Sequence, residues 1–384
     1  MKVYMEKNKS SKQNIIFCIV FTAVLVVFSG INLAEFALGL EPDGHVKGLE
    51  KLELAQDTAV NIWGGLQKLM GKKVAIGSTF YEDVTKLDNG YFTMADHDRD
   101  VTPAKKGVED ASAFAGKIGA EFLYVQAPGK EDSMDVLPFG AVTYAPLKAD
   151  AMTEFVREQG YENICVKELL KADGDEWYSY FYHTDHHLQN KAAFITAKAI
   201  AEKINGSCDM TADDFDKTLY ENVFLGAQGR MTGRYYTGLD DYELWIPKEK
   251  GDYELSVPSQ GIDRKGSFED AFVYYENLEH YSFDYYAYYS YLHQDYDHMI
   301  LMNHGNPDGK KIVMVRDSTA VPVSSFLITQ CSEIHLVDLR YITADTDVYG
   351  MIEEIGPDEL IYIFGPGYLG VENAVTLHGA VEQH

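Results

Sequence analysis

The chain has 384 residues, 46% of them hydrophobic and 24% charged, which are the proportions of a folded protein with room for one large domain and a sizeable insertion. Its formal net charge of −27 repels phosphate backbones and excludes nucleic acid as a partner. Of the four Cys, Cys18 falls in an apolar run, leaving Cys165, Cys208 and Cys331; this odd number without metal-ligand spacing indicates neither a disulfide framework nor a zinc site.

Residues 1–40 read as a cytoplasmic tail and a membrane segment. Lys2, Lys7, Lys9 and Lys12 precede an apolar run from Ile15 to Phe28. As a helix that run covers about 21 Å, so spanning a ~30 Å hydrocarbon core requires Ser29 to Leu33 as well. No small-x-small cleavage site follows the run directly, which favours an uncleaved anchor over a signal peptide. Either reading places the remainder outside the cytoplasm, because the Lys residues stay inside. Residues 41–71 carry Val46, Leu49, Leu52, Leu54, Val60 and Ile62 at helix-like spacing among charges and read as a spacer.

The ectodomain is expected from residue 72 onward. Val74 to Phe92 alternates and turns at Asn89-Gly90, a hairpin signal. A helix from Lys106 to Ile118, a strand from Glu121 to Gln126 and a turn at Pro128-Gly129 form a helix-strand unit of the kind found in parallel sheets. Ligands gather at the carboxyl ends of such strands, which makes Gln126 and Lys130 candidate substrate contacts, the alternative being a polar turn residue and a solvated Lys. A helix from Ala149 to Gln159 and a strand near Asn163 to Val166 repeat the unit. The aromatic stretch Trp177 to Tyr182 then leads into His183-Thr-Asp-His-His187, and an Ala-rich helix follows from Asn190 to Ile204.

Residues 205 to about 306 interrupt this rhythm as an inserted β-rich segment. Gly226 to Asp241 is glycine-punctuated without the Lys-Ser/Thr ending of a phosphate loop. Arg230, Arg234 and Tyr235 within it are candidate substrate contacts. Strands are expected at Tyr242 to Pro247 and Tyr253 to Val257. The Tyr cluster from Tyr274 to Tyr296 suits either half-buried strands or stacking on sugar rings. The α/β pattern resumes with the strand Lys311 to Val315, Asp317-Ser318, a helix from Val321 to Thr329, a strand from Glu333 to Leu339, a helix from Tyr349 to Ile355 and a strand from Glu359 to Phe364.

Asp185 and His187 are spaced so that the carboxylate can fold back to imidazole Nδ1 and leave Nε2 free as a base. A base of this kind needs a hydroxyl, and Ser318 in a strand-to-helix turn offers one, with the Ser318 and Thr319 N–H groups near an oxyanion position and Arg340 as further positive charge. The set describes covalent acyl transfer. Asp317-Ser318 as a simple helix cap is the plainer alternative. A metal held by His183, Asp185, His186 and His187 is disfavoured because side chains so close in sequence diverge, and His186 reads as a packed histidine.

Taken together, Asp185-His186-His187, Arg316-Asp317-Ser318 and Phe122-Leu-Tyr-Val-Gln-Ala-Pro-Gly-Lys130 resemble the DHHW proteins, relatives of the SGNH-hydrolase-like, alginate O-acetyltransferase-type acyltransferases. Matches run discontinuously from about Val74 to Pro366, with Leu188 where the family name has Trp and Arg316 where SGNH hydrolases often have Gly. The resemblance implies an SGNH-like, flavodoxin-like α/β fold with a parallel sheet flanked by helices, and a Ser-His-Asp triad that needs no cofactor or metal. It further implies action on O-acyl groups of a cell-surface polysaccharide and a multi-spanning membrane partner that supplies the acyl group. A carbohydrate O-acetyl esterase and an inactive glycan-binding ectodomain are the alternatives, with Tyr341 beside Arg340 as a further candidate contact in each.

Overall fold

A computed structural model describes residues 19–20, 22–23, 26, 53–76, 83–343 and 345–378. Apart from five helical positions, the expected membrane segment lies outside the described residues. Among the described residues no helix is long and apolar enough to cross a membrane. Met1–Thr58 and Ala59–His384 are two compact units, and the second carries the site.

The expected hairpin is a three-stranded antiparallel sheet of β1 (Val74–Ile76), β2 (Asp83–Lys86) and β3 (Phe92–Met94), with Asn89-Gly90 in the turn between β2 and β3. The main sheet draws on β4 (Glu121–Gln126), β5 (Asn163–Cys165), β8 (Tyr253–Val257), β9 (Ile262–Gly266), β10 (His298–Asn303), β11 (Lys311–Arg316), β12 (Glu333–Val337) and β13 (Glu359–Phe364). Their order is β5-β4-β13-β11-β12-β10-β8-β9. The first five run parallel, whereas β10 pairs antiparallel with both β12 and β8, and β8 pairs antiparallel with β9.

The sheet departs from the expected one in two ways. The sheet is mixed, because the inserted segment adds its strands to the edge of the parallel half. The parallel strands also depart from the flavodoxin order, since the last of them in the chain, β13, lies between β4 and β11. Both faces of that half are covered, which explains why β11 and β13 read as unbroken apolar runs. On one face lie the helices Asn190–Asn205 and Ala320–Leu327 against Val125, Met314 and Ile363. The other face packs Thr102–Ile118, Ala145–Glu158 and Val348–Ile355 against Tyr124, Val315 and Tyr362.

The insertion also contributes short helices and a two-stranded ribbon, β6 (Phe215–Phe224) with β7 (Asp240–Pro247). It is fastened by rings: Phe326, from the helix after Ser318, meets Phe194, Phe215 and Trp245 edge-on at 5.8, 5.3 and 5.8 Å. Each such pair contributes about 0.5–1.5 kcal/mol beyond the area it buries. The ribbon is thereby held to the helix that follows the nucleophile candidate.

From Ala59 onward, the stretch expected as a spacer is packed. A Cβ on Gly64 would lie 1.8 Å from the Thr232 carbonyl, so only glycine permits this helix to meet residues 232–236, and Asn61 Oδ1 accepts from Arg234 N at 2.8 Å.

Candidate active site

The Asp185 loop is built to hold one shape. An isolated antiparallel bridge between Phe181 and Leu188 pinches its base, and Gln189 N donates to Tyr180 O at 2.8 Å. Within it, His187 N donates to Asp185 Oδ1 at 2.8 Å, the local turn that Asp side chains favour, and this brings the same oxygen to 2.6 Å from His187 Nδ1. The ring is thereby oriented with Nε2 pointing outward, 2.8 Å from Ser318 Oγ. Asp185, His187 and Ser318 are 0%, 4% and 7% exposed, so the three expected partners meet in a nearly closed site.

Ser318 arrives from the opposite direction. β11 ends at Arg316 and the helix Ala320–Leu327 starts after Thr319, which leaves Ser318 in the turn between them. Tyr288 fixes this turn by donating its hydroxyl to Ser318 O at 2.8 Å, and its ring stacks on His187 with centroids 3.7 Å apart and planes 16° apart. The exposed His186 ring lies beside the imidazole, with centroids 3.9 Å apart and planes tilted by 34°. One face of the His187 ring is thereby closed by Tyr288.

The remaining Asp185 oxygen accepts from Ala227 N at 2.6 Å and from the Tyr286 hydroxyl. Burial opposes ionisation of Asp185, but the His187 and His186 imidazoles and the hydrogen bonds from His187 and Tyr286 outweigh it and hold the carboxyl well below its usual range. Burial and the Asp185 charge push Tyr286 well above the ordinary phenol value, so it remains a donor.

One layer out, the Asp240 carboxylate accepts from His183 N, Thr184 N and Thr184 Oγ1 at 2.7, 2.7 and 2.6 Å. Gly226 N in turn donates to Thr184 Oγ1 at 2.9 Å. The fit at Gly226 leaves no space: an added Cβ would lie 2.4 Å from both Asp185 Cβ and Thr184 O. Gly226→Ala is expected to displace the Asp185 loop, destabilise the fold by about 1–3 kcal/mol and lower turnover by roughly a hundredfold. Thermal melts and steady-state kinetics on the variant check this.

Several expected contacts prove to be supports. Gln126 is buried with its amide donating to Ala127 O and Phe364 O at 2.8 and 3.0 Å, and its carbonyl accepting from Tyr124, so it cannot face a substrate. Lys130 is no solvated or substrate-binding Lys either: it is 2% exposed and donates to Phe92 O at 2.5 Å and His183 O at 3.3 Å, which ties β3 to the Asp185 loop. Thr319 N is committed to Asp317 Oδ1 at 2.9 Å, which removes it as an oxyanion donor. Ser318 N has no acceptor among the described residues. The Arg340 guanidinium is held by Asp338 Oδ1 at 2.8 Å and Asp295 Oδ2 at 3.0 Å, inside a buried group with Arg316 that balances two cations against two carboxylates. Its charge is thus spent on structure.

Arg230 lies 5.2 Å over the Tyr286 ring and donates to Phe283 O, while Arg234 lies over Tyr281 and Tyr235 at 4.6 and 5.2 Å. Tyr235 and Tyr341 are exposed. The Tyr cluster forms loops and 3-10 turns, Tyr275–Leu278 and Ala287–Ser290, and not strands. Tyr286 and Tyr288 are buried against the site and cannot stack on sugars.

A metal reading of the motif is also weakened by its own donors. Asp185, His186 and His187 each offer an atom within 4.8 Å of the others, but both Asp185 oxygens and both His187 nitrogens are engaged, leaving His186 alone to offer a lone pair. His183 turns its ring toward Phe92 and Tyr91.

Lys130 carries a pH signature. Burial lowers its pKa from 10.5 to about 8, against the opposing pull of Asp185, Asp240 and Glu131. The folded protein gives up this proton before the unfolded chain does. The cost of burying the charge is therefore complete below pH about 8 and is relieved as pH rises to 10.5, so stability rises across that window. Lys130→Met is expected to remove that rise and to cost about 1–3 kcal/mol by orphaning two carbonyls. Urea titrations of both proteins across the window check it.

No family model and no curated protein matches the chain. Among solved structures, Bacillus cereus PatB1 is similar with a TM-score of 0.61 and 18% identity, covering 77% of this chain and 100% of that one. The same protein with a sulfonyl adduct gives 0.59 and 17%, covering 76% and 99%. A DHHW family protein from Eubacterium siraeum DSM 15702 gives 0.57 and 15%, covering 79% and 99%. The chain shares the fold of these proteins.

Proposed function

We propose that the chain is an O-acyltransferase that moves an acetyl group onto hydroxyls of a cell-surface or exported polysaccharide through an acyl-serine intermediate. One observation carries the reading: Ser318 Oγ, His187 Nε2 and Asp185 form a continuous hydrogen-bonded relay, from residues 131 positions apart, at a nearly closed site. The fold shared with PatB1 and with the DHHW family protein supports it.

In this reading His187 Nε2 takes the Ser318 proton as Oγ bonds to the carbonyl carbon of an acyl ester. The Ser318 N–H faces the developing oxyanion, where such a donor is typically worth about 3 kcal/mol. The ester C–O bond then breaks, and the leaving oxygen takes the proton from Nε2. A glycan hydroxyl next gives its proton to Nε2 and attacks the acyl-serine, and the departing Ser318 oxygen takes that proton back. The buried Tyr288 ring stacked on the imidazole keeps water from that face of the base, which favours a hydroxyl acceptor over hydrolysis. Residues 1–40 hold the enzyme in the membrane with its catalytic unit outside the cytoplasm, beside a multi-spanning protein that delivers the acyl group.

Incubation of the purified chain with an activated acetyl ester and an oligosaccharide tests this. Acetylated sugar that depends on Ser318 is the expected product. Free acetate alone would assign an esterase, and sugar binding without reaction would assign a glycan-binding domain.

A further inference from the structure

The helices that lead away from the two halves of the relay converge again at their far ends. Asn190–Asn205 begins just after His187, Ala320–Leu327 begins just after Ser318, and the two pack against each other on one face of the sheet. Beyond them, the segment after the first helix runs along the end of the second. Asn205 Nδ2 donates to Gln330 O at 3.5 Å, the Cys208 thiol to Gln330 Oε1 at 3.7 Å, and the Thr329 hydroxyl to Met210 Sδ at 3.5 Å. Cys208 therefore lies against the side chain of the residue next to Cys331, and both sulfurs belong to the same apolar cluster. Cys165 lies elsewhere, at the end of β5 beside Thr153.

We infer that Cys208 and Cys331 form a redox-responsive disulfide that staples the ends of the two helices that follow the base and the nucleophile. Cys208 is half-buried and Cys331 fully buried, which fixes the order of events. The Cys208 thiolate attacks an external disulfide, such as oxidised glutathione or a disulfide oxidoreductase, and one thiol leaves. The Cys331 thiolate then attacks the Cys208 sulfur of the mixed disulfide, forming the internal S–S bond and releasing the second thiol. Two protein thiols are oxidised and one external disulfide is reduced to two thiols, so electrons and protons balance. Burial, reinforced by the nearby Cys208 sulfur, pushes the Cys331 thiol up to about 12, so closure accelerates as pH is raised. A link between segments so distant in the chain constrains the unfolded state strongly.

The test is to expose the full chain to oxidised glutathione at mildly alkaline pH, alkylate remaining thiols, and map peptides without reduction. A 208–331 linked pair with Cys165 alkylated is expected, with a melting temperature roughly 3–8 °C above that of the reduced protein. Cys208→Ser should melt at the reduced value under both conditions. Alkylation of both Cys208 and Cys331, a glutathione adduct that stays on Cys208, or linkage to another cysteine would each overturn the proposal. The readout is a mass and a melting point, so it stands or falls separately from acyl transfer.

Discussion

Ser318→Ala is expected to fold normally and to lower acetyl transfer by roughly 10⁴- to 10⁶-fold, or about 5–8 kcal/mol of barrier. The fold should survive because, among the described residues, the lost hydroxyl has a single partner, His187 Nε2, and the turn is held instead by Tyr288 on the Ser318 carbonyl and by Asp317. The rate should not survive, because every covalent step passes through Oγ. Parallel measurement of the thermal midpoint and of turnover with an activated acetyl ester separates the two effects. A variant that kept its rate within tenfold would place the acyl group on some other residue.

Asp185→Asn should be nearly as severe, about 10³- to 10⁴-fold, for a reason visible in its surroundings. Among the described residues, every partner of the carboxylate is a donor: His187 N and Nδ1 on one oxygen, Ala227 N and the Tyr286 hydroxyl on the other. An amide must turn its NH₂ toward one of these pairs, which either favours the wrong imidazole tautomer or leaves a buried clash. Stability should change as well. The folded carboxyl is held well below its unfolded value, so its contribution is present above the unfolded pKa and is lost as pH falls through the folded one. The variant should therefore lose part of the acid dependence of unfolding seen in the parent. Comparing denaturant titrations at pH 7 and near pH 3 reads this, and identical acid limbs in the two proteins would contradict the assigned charge.

The sequence discloses the relay and hides what supports it. Asp185 and His187 interact through a local turn, and Ser318 follows an apolar strand, so both halves carry short-range signals. The groups that complete the site, Tyr286, Tyr288, Asp240 and Ala227, come from the insertion and reach the motif only through long-range packing. A Tyr run gives no hint of which hydroxyl meets a carboxylate. Lys130 and Gln126 stand out in the sequence for the same strand-end position that brings them near the site, yet burial turns them into braces. Strands β4, β8 and β13 are legible because a fully or alternately buried strand leaves an apolar pattern. The edge strand Ile262-Asp-Arg-Lys-Gly266 has a charged face, and much of Phe215–Phe224 lies at the surface, so neither leaves such a pattern. The antiparallel extension is hidden for a related reason: β10 joins β12 to β8, an association made only in the folded sheet.

The measurement that reaches the central claim most directly is intact-protein and peptide mass spectrometry after a brief exposure to an activated acetyl ester, quenched in acid. One added acetyl group is expected, located on the peptide containing Ser318, that disappears when an oligosaccharide acceptor is supplied and never forms in Ser318→Ala. An acetyl group on any other residue, or acetylated oligosaccharide produced at full rate by Ser318→Ala, would contradict it.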